Sequence, residues 1–227
     1  MSHALHDQLN VTEQGHPSLG AAADTFDRFV GSWDMDCVFT AADGVQTTMT
    51  GEWHFGWILG GHVVQDVLYF YPKGQRPQHA AELRGGTTVR LFDPKAKQWL
   101  VSWFAALRGE VIHLKGGVEG DRIVLRGVDV DGSSLRWSFN DIQPDRFRWL
   151  GETSVDGGKH WRVEQEMHLR RTPPPARSPS SGRWRQHDPQ ADRGGGNVSG
   201  VPSGGAGEVV EGDQPPAQIP HGGLLLR

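Results

Sequence analysis

The residues best suited to chemistry lie in one short run, His62-Val63-Val64-Gln65-Asp66-Val67-Leu68-Tyr69-Phe70. Its period of two makes it a strand, and His62 and Asp66, an even number apart, point to the same face. A carboxylate held among apolar side chains has its pKa raised and serves as a general acid or base, and His62 on the same face is the second candidate catalytic residue. The same Asp66 also suits a purely structural role, hydrogen-bonded to a neighbour in the core. Which face it takes depends on the preceding turn. A two-residue turn at Gly60-Gly61 pairs Leu59 with His62, Trp57 with Val64 and Phe55 with Asp66, and sends Asp66 inward beside His62. A turn one residue longer sends Gln65 inward instead, with no acid–base capacity.

Few other residues form a reactive pattern. The eleven histidines include no His-x-x-x-His on a helix and no Cys-His set, so no metal is expected. The single cysteine, Cys37, sits among apolar residues as a core thiol and permits no internal disulfide. No Gly-x-Ser-x-Gly, P-loop or dinucleotide fingerprint is present; the runs GGTTVR and GETSVDGGKH read as turns. No cofactor is expected.

The elements that position Asp66 are strands. After a short helical turn at Asp24–Val30, with Asp24 expected as its cap, ten runs alternate between apolar and polar residues. They cover 33–40, 45–57, 62–71, 86–92, 97–105, 110–116, 122–128, 133–141, 146–153 and 160–171, separated by turns such as Asp131-Gly132 and Asp156-Gly157-Gly158. Ten short strands in a meander with almost no helix predict an all-β, antiparallel up-and-down barrel, since closure removes exposed edges. Eight of the nine tryptophans fall in these strands or their turns, each on the more apolar parity: Trp33, Trp53, Trp57, Trp99, Trp103, Trp137, Trp149 and Trp161. They predict an indole-lined interior, either a filled core or an apolar pocket. The residues expected to hold a ligand there are Trp53, Phe55, Trp57, Trp103, Trp137 and Gln165.

Gly31-Ser32-Trp33, following the short helix, resembles the Gly-x-Trp signature of lipocalins and other calycins. The resemblance implies an arginine from the last strand packed across Trp33, and strand parity favours Arg171 over Arg170. Over residues 24–172 the chain also resembles a bacterial lipocalin-like domain family of unknown function, through GEWHFGWILGG, VVQDV, LFDPKAKQWLVSW and SVDGGKHW. That likeness implies a fold and no reaction. A late histidine, His168, is similar in place to the iron ligand of nitrobindin-type haem barrels, but its parity with Glu164, Glu166 and Arg162 puts it on the outer face. Ser154-Val155-Asp156-Gly157-Gly158-Lys159-His160-Trp161 resembles the Asp-box hairpin, which implies a structural turn.

Composition bounds the rest. A net charge of −4 without a basic stripe argues against a nucleic-acid partner. No apolar run is long enough to span a membrane, and the lone cysteine with no secretory signal pattern suits the cytoplasm. Residues 1–19 are polar and aperiodic, a flexible leader; residues 20–172 form the barrel domain. From Pro173 to Arg227, Gly and Pro supply 20 of 55 residues, the composition of a disordered tail. The Lys73–Arg84 loop, the one long loop inside the domain, is expected either to cover one mouth or to be plain surface. The expected function is a barrel that binds a small apolar or aromatic molecule. The alternatives are an enzyme using the same pocket for acid–base isomerisation, cyclisation or hydration of a hydrophobic metabolite, a haem-binding nitrobindin-like barrel, or a small scaffold with a filled core.

Overall fold

Ten alternating runs become ten antiparallel strands: β1 (Gly31–Thr40), β2 (Gln46–Ile58), β3 (Val63–Tyr71), β4 (Arg84–Asp93), β5 (Gln98–Ala105), β6 (Glu110–Glu119), β7 (Arg122–Val128), β8 (Ser134–Asn140), β9 (Arg146–Ser154) and β10 (Arg162–Arg171). Each pairs with its sequence neighbour, and β1 pairs with β10 from Trp33↔Arg171 to Phe39↔Gln165, so the sheet closes into an up-and-down barrel. The computed structural model describes residues 4–76 and 84–173. The tail expected from Pro173 onward, except Pro173 itself, lies outside the described residues, as does most of the Lys73–Arg84 loop. Among the described residues no helix is long and apolar enough to cross a membrane.

One end of the barrel is stoppered from within. After helix α1 (Ala4–Gln8), the short helix α2 (Asp24–Asp27) and the turn that follows it insert Phe26 and Phe29, both fully buried. Phe26 meets Trp99 edge-on at 4.8 Å, and Phe29 meets Phe147 at 4.8 Å and Phe139 at 5.0 Å. Ala23 stands at the cap of α2, so Asp24 is its first helical residue and not the cap. Asp27 is used elsewhere: its Oδ1 accepts hydrogen bonds from Trp57 Nε1 at 2.6 Å and from the Gly15 amide at 3.0 Å.

That second bond belongs to a strap. Residues 9–16, expected within a flexible leader, run along the β2–β3 connection. The amides of Thr12, Leu59, Gly60 and His16 bond to the carbonyls of Trp57, Leu9, Asn10 and Gly61, respectively. The pairing follows from polarity. The connection leaves backbone groups at the sheet's end, and a polar, extended segment satisfies them. Gly61 allows the approach, because a Cβ there would lie 2.6 Å from the His16 nitrogen.

The β9–β10 turn is built as its sequence pattern implies. Ser154 Oγ accepts from the Gly158 amide, Asp156 Oδ1 accepts from the amides of Lys159 and His160, and Trp161 Nε1 donates to the Gly158 carbonyl. These bonds hold the Asp156 carboxyl well below the usual range. Beyond the turn β10 carries a bulge between Val163 and Gln165. The extra residue shifts parity. Trp161 therefore lies on the outside with Arg136 over its ring at 4.2 Å, while Gln165 keeps the interior place expected of it.

Candidate functional site

Asp66 points into the barrel. The β2–β3 register pairs Phe55 with Asp66 and Trp57 with Val64, as a Gly60-Gly61 turn requires. The connection itself is wider, with Ile58↔Val63 as the last pair and Leu59, Gly60 and Gly61 all at positive φ. Widening by two residues preserves parity, so Asp66 stays inside and Gln65 stays on the outer face, bonded to Thr87. It also releases His62 from the strand. His62 is exposed and stacks on His16 at 4.1 Å, outside the barrel. The expected Asp66–His62 pair does not form.

Asp66 meets an arginine instead. Arg90 on β4 enters the interior and donates from Nη1 to Asp66 Oδ2. The side chains are 3% and 0% exposed, so the ion pair is entirely removed from water. The guanidinium also faces the rings of Phe26 at 5.0 Å and Phe55 at 5.5 Å. This residue escapes a reading by apolar parity, because β4 turns Val89 and the half-exposed Leu91 outward and Thr88 and Arg90 inward. The signal that finds it is Asp66 itself. A buried carboxylate demands a cation, and Arg90 lies one diagonal step away across the Asp66↔Thr88 pair.

Arg90 forms part of the wall of an apolar cavity shared with Trp53, Leu68, Trp103, Trp137 and Trp149. The cavity measures about 20 Å³, room for roughly one water molecule. Three of the residues expected to touch a ligand, Trp53, Trp103 and Trp137, line it. Phe55 stacks on Trp53 at 4.7 Å, one layer nearer the stoppered end. Trp57 is not part of the cavity; it is anchored by Asp27 beneath the strap. Gln165 is fully buried and donates through Nε2 to Cys37 Sγ at 3.5 Å, while burial pushes the Cys37 thiol up. His168 faces outward against Glu166 at 3.1 Å, so it cannot ligate a group inside the barrel.

Six of the indoles fall into two sets. Trp33 and Trp57 at the stoppered end and Trp161 at the outer turn each donate Nε1–H to a protein acceptor, at 2.7, 2.6 and 2.9 Å. The cavity tryptophans differ. Nε1 of Trp53, Trp103 and Trp137 is buried with no acceptor among the described residues, as are Asp66 Oδ1, Arg90 Nε and Gln165 Oε1.

No family model and no curated protein matches the chain. Among solved structures it is similar to the S-type phycobiliprotein lyase CPES of Guillardia theta, at 12% identity and a TM-score of 0.47, over 66% of this chain and 92% of that one. It is also similar to Rv2717c of M. tuberculosis, at 14% identity and a TM-score of 0.46, over 70% of this chain and 99% of that one. A redesigned β-barrel, mFAP1, bound to DFHBI, matches at 16% identity and a TM-score of 0.32, over 65% and 98%.

The other end of the barrel is packed as well. Phe39, Met49 and Phe70 are buried there, with the Phe39 and Phe70 rings 5.4 Å apart. Charges gather on the outer face, where Arg136 forms a two-pronged bond to Glu152 and Tyr71 donates to Glu52 at 3.0 Å. The arrangement offers two kinds of chemistry. Inside are flat apolar walls with unpaired donors and acceptors, and outside are solvated ion pairs.

Proposed function

We propose that the barrel binds a small, flat, largely apolar molecule among Trp53, Trp103 and Trp137. The observation that carries this reading is the division between the indoles. A core built only for stability gains nothing from burying N–H groups that have no acceptor, since each costs on the order of 1–3 kcal/mol. Phenylalanine or leucine fills the same space without that cost. Trp33 and Trp57 at the stoppered end are hydrogen-bonded, whereas Trp53, Trp103 and Trp137, three of the four indoles in the cavity wall, are buried without an acceptor. A ligand with acceptor atoms supplies the missing partners.

Binding of this kind displaces side chains. A two-ring ligand exceeds the open space several-fold, so Met167, Leu68 and the indole planes have to move apart. Association is then slower than for a preformed pocket. The enzyme reading has weaker support, because His62 is outside and the Arg90 guanidinium occupies one Asp66 oxygen.

Energy transfer from the tryptophans to the neutral apolar probe N-phenyl-1-naphthylamine tests the proposal. Saturable transfer at one site per chain is expected, weakened by Leu68→Phe, which narrows the cavity. Absence of transfer in the full-length protein, or transfer unaffected by Leu68→Phe in a variant with intact near-UV circular dichroism, overturns it.

A further inference from the structure

The Asp66–Arg90 pair specifies the ligand more closely. We propose, resting on the binding reading above, that the bound molecule is neutral and carries a hydrogen-bond donor beside an acceptor. A lactam or a pyrimidine-type ring edge has that form. In this arrangement the acceptor meets Arg90 Nε–H at the cavity wall, and the donor meets Asp66 Oδ1, which stands behind Arg90 and outside the cavity lining until the side chains part.

Three observations lead to this chemistry. First, the pair is incompletely used. A carboxylate accepts about four hydrogen bonds and a guanidinium donates five. Yet Oδ1 of Asp66 and Nε of Arg90 are buried with no partner among the described residues. Unmet groups on buried ions cost more than unmet neutral groups.

Second, the site is already electrically balanced. One carboxylate and one guanidinium, both removed from water, sum to zero. An anionic ligand would compete with Asp66 for the single arginine and leave a net negative charge buried, and a cationic ligand would leave a positive one. A neutral molecule satisfies both remaining atoms without adding charge.

Third, the surroundings are flat and rich in donors. Phe26 and Phe55 face the guanidinium, and the indoles of Trp53, Trp103 and Trp137 stand along the cavity. Counting the unpartnered interior atoms gives four donors, the three indole nitrogens and Arg90 Nε, against two acceptors, Asp66 Oδ1 and Gln165 Oε1. The matching ligand is planar and has at least as many acceptor atoms as N–H groups.

Displacement of N-phenyl-1-naphthylamine from the full-length protein tests the proposal with four matched bicyclic compounds: 2-quinolone, N-methyl-2-quinolone, quinoline-2-carboxylate and naphthalene. A hydrogen bond to a charged group is worth about 1.5–3 kcal/mol, equivalent to about tenfold or more in affinity. The lactam 2-quinolone is therefore expected to bind about tenfold more tightly than its N-methyl derivative, and quinoline-2-carboxylate no better than naphthalene. The double variant Asp66→Leu/Arg90→Met, which replaces the ion pair by apolar groups, is expected to bring the ratio of 2-quinolone to N-methyl-2-quinolone close to one. Equal affinities for those two compounds in the unmodified protein overturn the proposal while leaving the binding reading intact. Preference for the carboxylate does the same. Failure of all four to displace a bound probe also overturns it, and failure of the probe itself to bind removes the binding reading along with it. The four-ligand comparison needs no variant, so a variant that does not fold leaves the test whole.

Discussion

Arg171 lies over the face of Trp33, its guanidinium carbon 4.1 Å from the ring centroid, and joins the last strand to the first. The same guanidinium donates to the carbonyls of Val30, Arg28 and Pro144 at 2.8, 2.8 and 2.9 Å. One side chain thus closes the β1–β10 seam, caps the turn after α2 and holds the β8–β9 connection. A lysine has one compact charge and no planar fork, so it cannot make these contacts together. Arg171→Ala is expected to lower stability by about 2–4 kcal/mol, since it removes several charge-assisted bonds and a cation–π contact. Arg171→Lys is expected to recover less than half of that loss, and Trp33→Ala to cost about 3–5 kcal/mol. Urea denaturation of the three variants measures these differences.

Gly31 is tied to the same closure. Its φ is +117°, and a Cβ at this position would lie 3.0 Å from Arg171 Nη1. Gly31→Ala therefore strains the backbone and presses on the arginine at once. A loss of about 1–3 kcal/mol is expected, with the Trp33 environment altered in near-UV circular dichroism. An Ala variant as stable as the parent would show that the glycine has no part in the closure.

Much of the fold is legible in the sequence because a barrel strand is written at period two. All ten strands lie within a few residues of their alternating runs, and the Phe55↔Asp66 register follows from the parity around Gly60-Gly61. The Gly31-Ser32-Trp33 start and the parity of β10 pick out Arg171. Parity fails where the backbone interrupts it. The bulge after Val163 turns Trp161 outward, and the widened β2–β3 connection frees His62. It fails again in β4, where the apolar residues are on the outside and Arg90 is inside, because the demand of Asp66 for a cation outweighs the preference of valine and leucine for burial. The strap is illegible for a different reason. Its stabilisation comes from backbone groups, which leave no trace in side-chain pattern.

Removal of residues 1–16 is expected to destabilise the barrel, although that segment has the composition of a loose leader. The deletion strips backbone partners from Trp57, Leu59, Gly60 and Gly61 and uncovers the Trp57 ring. With net contributions of about 0.5–1.5 kcal/mol per bond, partly replaced by water, a loss on the order of 2 kcal/mol follows. A lower melting temperature and a red-shifted tryptophan emission are the expected readouts. An unchanged melting temperature would show that the strap contributes nothing.

Tyr71 supplies a pH signature. Burial and the neighbouring Glu52, which accepts its hydroxyl proton, push its pKa up to about 12. The folded state therefore holds a proton that the unfolded chain releases near pH 10. Its contribution is complete below about pH 10 and is lost as pH rises through about 12. Ultraviolet titration of the two tyrosines is expected to show one ionising near pH 12, and Tyr71→Phe to abolish that transition. Two ordinary transitions near pH 10 in the folded protein would contradict the placement of Tyr71 against Glu52.

The Asp66–Arg90 pair makes the sharpest energetic prediction. Neither ion has access to water, so removing one leaves the other charged and unpaired in the core. Asp66→Leu alone and Arg90→Met alone are each expected to cost about 3–5 kcal/mol, whereas the double variant is expected to lie within about 1–2 kcal/mol of the parent or above it. This asymmetry separates stability from function. If the pair existed to hold the barrel together, apolar replacement would weaken the fold. If it is retained for recognition, the double variant keeps its fold and loses discrimination between ligands that differ in one N–H. Equilibrium denaturation of the two single variants and the double variant closes the thermodynamic cycle. A double variant as unstable as either single one would assign the pair to the fold and remove the case for its part in recognition.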